Sequence, residues 1–275
     1  MLCFMQTFMV HAQERRMVDV GGHRLEVLMM KGGGVPIIFE AGAGEDLSSW
    51  EPIFDQVGSF AQAIAYSRAG HGKSEMSQTP RTTEMIYQDY QVLMDSLSVE
   101  DPVILVGHSR GGFLVRYYTT QRPDWVGGLV IIDGYHEESS LRLLKFDSLI
   151  WAEEHENMRE MMRMAKSGEY DVPEGAIAEA EENIMNRLVI RGGEEIPELP
   201  DIPVAVLTSL KHPGYSQERL GLIKELQAEW TANKTNQVWL VTNQYGHHIH
   251  QEQPALVVAL IRYIHDLVLA RKIGE

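Results

Sequence analysis

Short runs of apolar residues alternate along this chain with stretches in which apolar residues recur every three or four positions. The runs are typical of buried strands, and the longer-period pattern is typical of helices that pack one face on a sheet. The predicted strands lie at 17–20, 24–29, 35–40, 61–66, 103–106, 129–132, 202–208 and 237–241. The predicted helices lie at 48–60, 83–97, 113–120, 216–230 and 254–269. This alternation favours right-handed crossovers and an α/β fold with a largely parallel sheet.

The stretch from 135 to 200 breaks the alternation. It contains helical patterns near 139–166 and 174–190 without an intervening strand, and its sixteen acidic residues outnumber its seven basic ones. We therefore predict a core formed by 13–134 and 201–275, with 135–200 inserted between two strands as a helical cap. The acidic residues are expected to form a solvated face of this cap. Its methionines suit either the core of the cap or the roof of a substrate pocket.

Composition narrows the class of protein. The chain has 275 residues, 44% of them hydrophobic and 23% charged, which is typical of one large globular domain or a domain with an insertion. Its net charge of −15 and the absence of a basic face argue against a nucleic-acid partner. No apolar stretch reaches the length of a transmembrane helix, so we expect no integral membrane segment. The single cysteine, Cys3, excludes an intramolecular disulfide and a cysteine metal site.

The first residues allow two interpretations. Residues 2–10 are mostly apolar, and Val10-His11-Ala12 resembles a signal-peptidase site, so 1–12 could be a truncated signal peptide of an exported protein. Polar residues interrupt the run at 6 and 7, and no basic residue precedes it. The second interpretation is a frayed terminus on a cytoplasmic protein.

The main candidate for chemistry is a serine between a strand and a helix. The buried run 103–106 leads directly into Gly107-His108-Ser109-Arg110-Gly111, and a helical pattern follows. A Gly-x-Ser-x-Gly motif in this context predicts a nucleophile elbow, a sharp turn that presents the serine hydroxyl. Glycine is required on both sides because neighbouring backbone comes too close for a Cβ. Ser109 is therefore the predicted nucleophile.

Other segments join this elbow in a resemblance to the α/β-hydrolase superfamily, in particular to serine esterases with a helical cap. The strand 35–40 ends in Ala41-Gly42-Ala43-Gly44, and Gly246-His247 precedes Gln-Pro and a closing helix. The resemblance covers roughly 17–270. It implies a mostly parallel central sheet flanked by helices. It also implies an oxyanion hole formed by the backbone N–H groups of Ala43 and Arg110.

The resemblance also implies which residues act with Ser109 as the general base and as the acid. His247 takes the position of the general base, which a serine hydroxyl needs at neutral pH. The acid that orients this histidine most often follows the strand at 202–208, but no Asp or Glu lies between Asp201 and Glu218. Some members, including haloalkane dehalogenases, place the acid one strand earlier, where Asp133 stands. Asp133 is therefore the predicted acid, with Glu137 and Asp201 as alternatives.

Two further segments receive structural interpretations. Glu40, at the end of the strand 35–40, is expected to be a loop carboxylate rather than a buried acid. The segment 67–74 resembles a family loop with Ser67 in place of its Asp, and we interpret it as a packing turn braced by Arg68. Neither segment has the spacing of a phosphate-binding loop.

These residues predict acyl transfer to water through an acyl-enzyme on Ser109, with a small-molecule acyl substrate, no cofactor and no metal. The spacing of His247, His248 and His250 matches no common zinc motif. A carboxylic ester is the default substrate, while lactonase, thioesterase, amidase and carbon–carbon hydrolase activities share the same residues. Dehalogenase and epoxide hydrolase chemistry is disfavoured, because those relatives carry Asp at the position of Ser109. The alternative from another class is a slow or non-catalytic binding protein on this scaffold.

Overall fold

The computed structural model describes residues 12–100, 102–169, 171–187 and 196–274. The segment interpreted as a signal peptide or frayed terminus, 1–12, lies outside the described residues except for Ala12. Among the described residues, no helix combines the length and the apolar character needed to cross a membrane.

Eight strands form one sheet. They are β1 (Gln13–Asp19), β2 (Arg24–Met30), β3 (Ile37–Glu40), β4 (Ala63–Tyr66), β5 (Val103–His108), β6 (Val126–Ile132), β7 (Val204–Ser209) and β8 (Gln237–Thr242). Their order across the sheet is β1-β2-β4-β3-β5-β6-β7-β8. β1 pairs antiparallel with β2, and β2 antiparallel with β4, whereas every pair from β4 to β8 is parallel. The predicted α/β class with a mostly parallel sheet is confirmed.

Helices connect the parallel strands. They are α1 (Glu51–Gly58), α2 (Thr83–Ser96), α3 (Arg110–Gln121), α4 (Ser139–Phe146), α5 (Ser148–Lys166), α6 (Glu174–Arg187), α7 (Gln217–Glu229), α8 (Ile249–Glu252) and α9 (Pro254–Gly274). A short 3₁₀-helix, Leu47–Trp50, precedes α1.

The helical pattern near 139–166 forms two helices rather than one. Asp147 has an extended backbone, and its Oδ1 accepts hydrogen bonds from the backbone N–H of Leu149 at 2.9 Å and of Ile150 at 3.1 Å. An aspartate in this position caps a new helix, because its carboxylate satisfies amides of the first turn that have no partner within the helix. α4, α5 and α6 all lie between β6 and β7.

The strands bury apolar side chains on both faces of the sheet. Because successive side chains of a strand point to opposite faces, Ile37 and Phe39 pack in one apolar cluster and Ile38 packs in the other. α1 and α9 cover the first face, and α2 and α3 cover the second. Trp50 packs against Phe39 with a ring separation of 5.0 Å. This two-sided burial holds the strand ends, and the loops that follow them, in fixed positions.

Glu40 lies inside the protein, so the interpretation of this residue as a loop carboxylate is wrong. It is the last residue of β3 and is 1% exposed. Arg68 Nη1 donates to Glu40 Oε1 at 2.7 Å, and the hydroxyls of Tyr66 and Tyr118 donate to Oε2. Burial raises the pKa of Glu40, and Arg68 and Tyr66 only partly offset this effect. These partners make the buried position possible, because a carboxylate without them would be too costly to desolvate.

A second buried carboxylate connects α6 to the same arginine. Glu179 is 1% exposed, and its Oε1 accepts from Arg68 Nε at 2.7 Å. Its Oε2 lies 2.9 Å from Arg110 Nε, at the start of α3. Burial opposes ionisation of Glu179, but the two arginines outweigh it and lower its pKa to about 2. Glu179 is thus an exception to the prediction that the acidic residues of 135–200 form a solvated face.

Replacing Glu179 by Gln removes the negative charge between the buried guanidinium group of Arg68 and the partly buried one of Arg110. We expect the free energy of unfolding to fall by about 3 kcal/mol, because breaking a buried ion pair leaves an uncompensated charge. Urea denaturation followed by circular dichroism measures this change.

Glu181→Gln is the matched control, because it alters the same helix two residues along. Glu181 is partly exposed and pairs with Lys166, and such surface pairs contribute less than about 1 kcal/mol. Equal effects of the two substitutions would show that burial of the Glu179 ion pair is not what stabilises α6.

Candidate active site

The serine of the elbow has a strained backbone. Ser109 lies between the end of β5 and the start of α3, with φ 52° and ψ −118°. A Cβ on Gly107 would collide with the carbonyl of Gly111, and a Cβ on Gly111 would collide with the carbonyl of Glu40. Only glycine fits at both positions. Positive φ at a residue other than glycine costs about 1–3 kcal/mol and is typical of functional sites.

Backbone hydrogen bonds hold Ser109 beside the end of β6. Its N–H donates to the carbonyl of Ile132 at 3.1 Å, and its carbonyl accepts from the N–H groups of Gly112 at 3.0 Å and Tyr135 at 2.8 Å. Ile132 is the last residue of β6, and Asp133 follows it in the chain. Because β5 and β6 are parallel neighbours, their carboxyl ends place Ser109 and Asp133 at the same edge of the sheet.

Asp133 contacts the predicted base. Its Oδ2 lies 2.6 Å from His247 Nδ1, and its Oδ1 accepts from the backbone N–H of Ser209 at 3.0 Å. Asp133 is 3% exposed and has a φ of 44°. Burial by itself would raise the pKa of this carboxyl, but hydrogen bonds from His212 and His247 outweigh it and lower the pKa to about 2. Asp133 is therefore an anion at neutral pH.

His247 packs beside the elbow. Its ring lies 4.6 Å from the ring of His108, the residue before Ser109, and its backbone carbonyl accepts from His108 Nε2 at 3.0 Å. Residues predicted from three distant parts of the chain thus meet at one edge of the sheet. The two alternative acids have other partners: Glu137 contacts Arg116 and Trp230, and Asp201 accepts hydrogen bonds from Thr235.

The two predicted oxyanion donors follow β3 and β5, which are adjacent parallel strands. Arg110 is the first residue of α3, where backbone N–H groups have no acceptor within the helix. Ala43 lies in the turn after β3, and Arg68 holds the residues before it by donating to the carbonyls of Ala41 at 2.7 Å and Gly42 at 2.8 Å. The side chain of Arg110 pairs with Glu179. This pairing restrains the residue whose backbone N–H is the predicted donor.

One residue of the site, His212, was not predicted from the sequence. It follows β7, at the place where the commoner family pattern has its acid, and its Nε2 lies 3.0 Å from Asp133 Oδ2. Its ring stacks on Tyr215 at 5.1 Å with an interplanar angle of 10°. The interaction with Asp133 raises the pKa of His212, and partial burial opposes this. The available signal was a titratable residue after β7 in a segment that lacks carboxylates.

A second group of histidines surrounds Glu45. Its Oε2 lies 3.0 Å from His108 Nδ1, and its Oε1 lies 2.8 Å from His248 Nε2. His250, which is fully buried, contacts Ser49 Oγ through Nε2 at 2.9 Å. Burial is the main cause that lowers the pKa of His108, and it lowers the pKa of His250 to about 3. The late histidines are therefore divided between the two carboxylates, His247 with Asp133 and His248 with Glu45.

Solved structures share this fold. An epoxide hydrolase from Bacillus megaterium superposes with a TM-score of 0.69 at 16% identity, covering 90% of this chain and 99% of that one. An enol-lactonase from Burkholderia xenovorans LB400 superposes with a TM-score of 0.64 at 16% identity, with the same coverage. At this level of identity the likeness concerns the fold alone.

Sequence comparison finds relatives as well. Uncharacterized protein YqjL of Bacillus subtilis (strain 168) is 25% identical over 228 residues, which are 82% of this chain and 81% of that protein. Several other curated matches span only about a fifth of much longer proteins. Residues 35–181 match the family described as alpha/beta hydrolase fold. This chain therefore belongs to the α/β hydrolase family, and hydrolase activity is the general function that this membership supports.

Proposed function

We propose that this protein is a serine hydrolase that cleaves a carboxylic ester through an acyl-enzyme on Ser109. The observation that carries the proposal is the 2.6 Å contact between His247 Nδ1 and the buried carboxylate of Asp133, beside the strained elbow that contains Ser109. Oriented imidazoles of this kind are the general bases of serine hydrolases.

The contact determines which nitrogen of His247 acts. Asp133 is an anion and only accepts hydrogen bonds, so the proton of the neutral imidazole lies on Nδ1. Nε2 then carries the lone pair and takes the proton of the Ser109 hydroxyl as the oxygen attacks the ester carbonyl. Asp133 stabilises the imidazolium that forms. His247 next gives its proton to the leaving alcohol, and the same base activates the water that hydrolyses the acyl-enzyme.

The oxyanion of each tetrahedral intermediate would be bound by the backbone N–H groups of Ala43 and Arg110. Such donors act because they are in place before the charge develops, and the loss of one costs about 3 kcal/mol of transition-state stabilisation. Arg68 supports this role by holding the carbonyls before Ala43, and Glu179 by holding the Arg110 side chain.

The helical segment 135–200 is proposed to be a cap over the substrate. Its helix α6 is attached to the core by the Glu179 ion pairs, one of which leads to the residue after Ser109. A cap attached at this point would shape the space above the nucleophile. The acyl substrate would bind between this segment and the carboxyl ends of the strands.

The resemblance of the sequence disfavours epoxide opening, because Ser109 stands where those relatives carry Asp. Lactones, thioesters, amides and carbon–carbon bonds next to a carbonyl remain alternatives, because the same attack on a carbonyl cleaves them. The fold similarity to an enol-lactonase makes a lactone the first of these to assay. p-Nitrophenyl esters of graded chain length measure how large an acyl group the site accepts.

A fluorophosphonate probe tests the proposal directly, because it labels an activated serine. We expect labelling of the wild type, loss of labelling in Ser109→Ala, and at least a strong reduction in His247→Ala, as measured by intact-protein mass spectrometry. A wild type that folds but remains unlabelled would support the alternative of a non-catalytic binding protein on this scaffold.

Asp133→Asn tests whether Asp133 is the acid that orients His247. The substitution keeps the shape of the side chain but removes the charge that orients His247, and we expect kcat for ester hydrolysis to fall by about 10⁴-fold. Asp201→Asn is the control, because the hydrogen bonds of Asp201 come from Thr235 and Arg271 rather than from His247. Activity of Asp133→Asn near that of Asp201→Asn would refute the assignment of the acid.

His212→Gln tests the second imidazole on Asp133. The hydrogen bond to Asp133 raises the pKa of His212, so its ring becomes a cation at a higher pH than a free imidazole would, and this charge weakens the support that Asp133 gives to a protonated His247. In His212→Gln we expect the acid limb of the kcat/KM profile to move to higher pH by about half a unit or more.

Lys211→Gln is the control for this measurement. It removes a neighbouring positive charge whose Nζ donates to the carbonyl of Gln244 rather than to Asp133. An identical shift in both variants would mean that the change reflects general charge near the site and not the contact between His212 and Asp133.

A further inference from the structure

Glu45 contacts two histidines that are neighbours in the sequence of Ser109 and His247. Its Oε2 lies 3.0 Å from Nδ1 of His108, the residue before Ser109. Its Oε1 lies 2.8 Å from Nε2 of His248, the residue after His247. The N–H of Gly42 also donates to Oε2 at 2.8 Å, which fixes the carboxylate in the turn after β3. One carboxylate and two imidazoles thus bring three possible metal-ligand atoms within 4.8 Å of one another.

The hydrogen bonds of His108 determine its tautomer. Its Nε2 lies 3.0 Å from the carbonyl oxygen of His247, which only accepts, so Nε2 must carry the proton. In the neutral ring Nδ1 then bears a lone pair, and this lone pair faces a carboxylate oxygen at 3.0 Å. Two acceptors in contact repel each other unless a positive charge lies between them. That charge is either a second proton on His108 or a metal ion bound by both atoms.

The third residue of the group, His248, favours a metal ion over a second proton on His108. A proton shared by His108 and Glu45 needs no further partner, whereas His248 brings another nitrogen to the remaining oxygen of the same carboxylate. We propose that Glu45, His108 and His248 form a binding site for a divalent transition-metal ion of the zinc type. Two imidazole nitrogens and one carboxylate are a ligand set that zinc uses in proteins with one position left open.

The distances between the ligand atoms of Glu45 and the two histidines agree with those expected around a zinc ion. Two ligands about 2.0–2.1 Å from zinc at a tetrahedral angle lie about 3.3 Å apart, so the observed pairs need to widen by only a few tenths of an ångström. His248 is exposed, and its side chain can make this adjustment. An open surface depression of about 240 Å³, lined by Glu45, Asp46 and Ser49, among others, lies beside the carboxylate. It provides access from solvent and adds the negative charge of Asp46.

A rival set exists in Asp133, His212 and His247, whose donor atoms also lie close together. There His247 Nδ1 faces Asp133 Oδ2 at 2.6 Å as an ordinary N–H donor. A metal would have to displace this proton and break the contact that orients the proposed base. At Glu45 it displaces only the proton of His248, since the Nδ1 lone pair of His108 already faces the site. The Glu45 set is therefore the better metal site of the two.

Isothermal titration calorimetry of the tag-free, chelator-treated full chain with zinc chloride tests the proposal. We expect one zinc ion per chain at micromolar concentrations, and an affinity reduced at least about tenfold in His248→Gln and in Glu45→Gln. Cobalt(II) is the spectroscopic probe, and its visible absorption reports imidazole and carboxylate ligands. Thermal unfolding in EDTA confirms that each variant is folded, and His248, which is exposed, is the substitution least able to disturb folding.

His212→Gln is the matched control, because it removes a histidine from the rival set and leaves the Glu45 set intact. Zinc binding by His212→Gln equal to that of the wild type supports the proposal. Loss of binding in His212→Gln with full binding in His248→Gln would assign the metal to Asp133 and overturn it. Absence of zinc binding by the wild type would overturn it as well. None of these outcomes depends on Ser109 acting as a nucleophile.

Discussion

The buried guanidinium of Arg68 is the interaction on which the other parts of this structure depend. It pairs with Glu40 at the end of β3 and with Glu179 on α6, and it donates to two carbonyls of the turn that follows β3. Arginine suits this position because its planar group offers five donors in a fixed geometry. Either carboxylate alone would be a costly buried charge. Together with Arg110, the group connects the sheet, the elbow and the segment between β6 and β7 in one network.

The second constraint is the place of the carboxylate that holds His247. Asp133 stands at the end of β6, and the end of β7 contributes donors to it instead of an acid. Ser209 gives a backbone N–H to one oxygen, and His212 brings an imidazole to the other. The result is a buried anion that stays ionised over a wide pH range, because its partners compensate the loss of solvation. The end of β6 thus supplies the carboxylate, and the end of β7 supplies the groups that hold it in place.

Histidines are concentrated at this edge for a geometric reason. β3 and β5 are adjacent and parallel, so the turn after β3 and the end of β5 lie side by side, and the loop after β8 reaches them from the chain's far end. His108, His247, His248 and His250 consequently form one set of ring contacts. Asp133 and Glu45 divide these rings into two groups with different electrostatic roles. The proposed catalytic base belongs to one group and the proposed metal ligands to the other.

The strands, most helices, the parallel sheet and the elbow at Ser109 could be predicted from the amino-acid sequence. These features follow from residues close together in the chain, because strand and helix periodicity and the steric need for glycine are local properties. The pairing of Asp133 with His247 was predicted only with the help of a family resemblance. The burial of Glu40, the role of Glu179 and the position of His212 were decided by the tertiary structure. Arg68 and Glu179 are 111 residues apart. Whether a charged side chain is buried depends on partners that only the folded topology brings to it, and no local pattern records them.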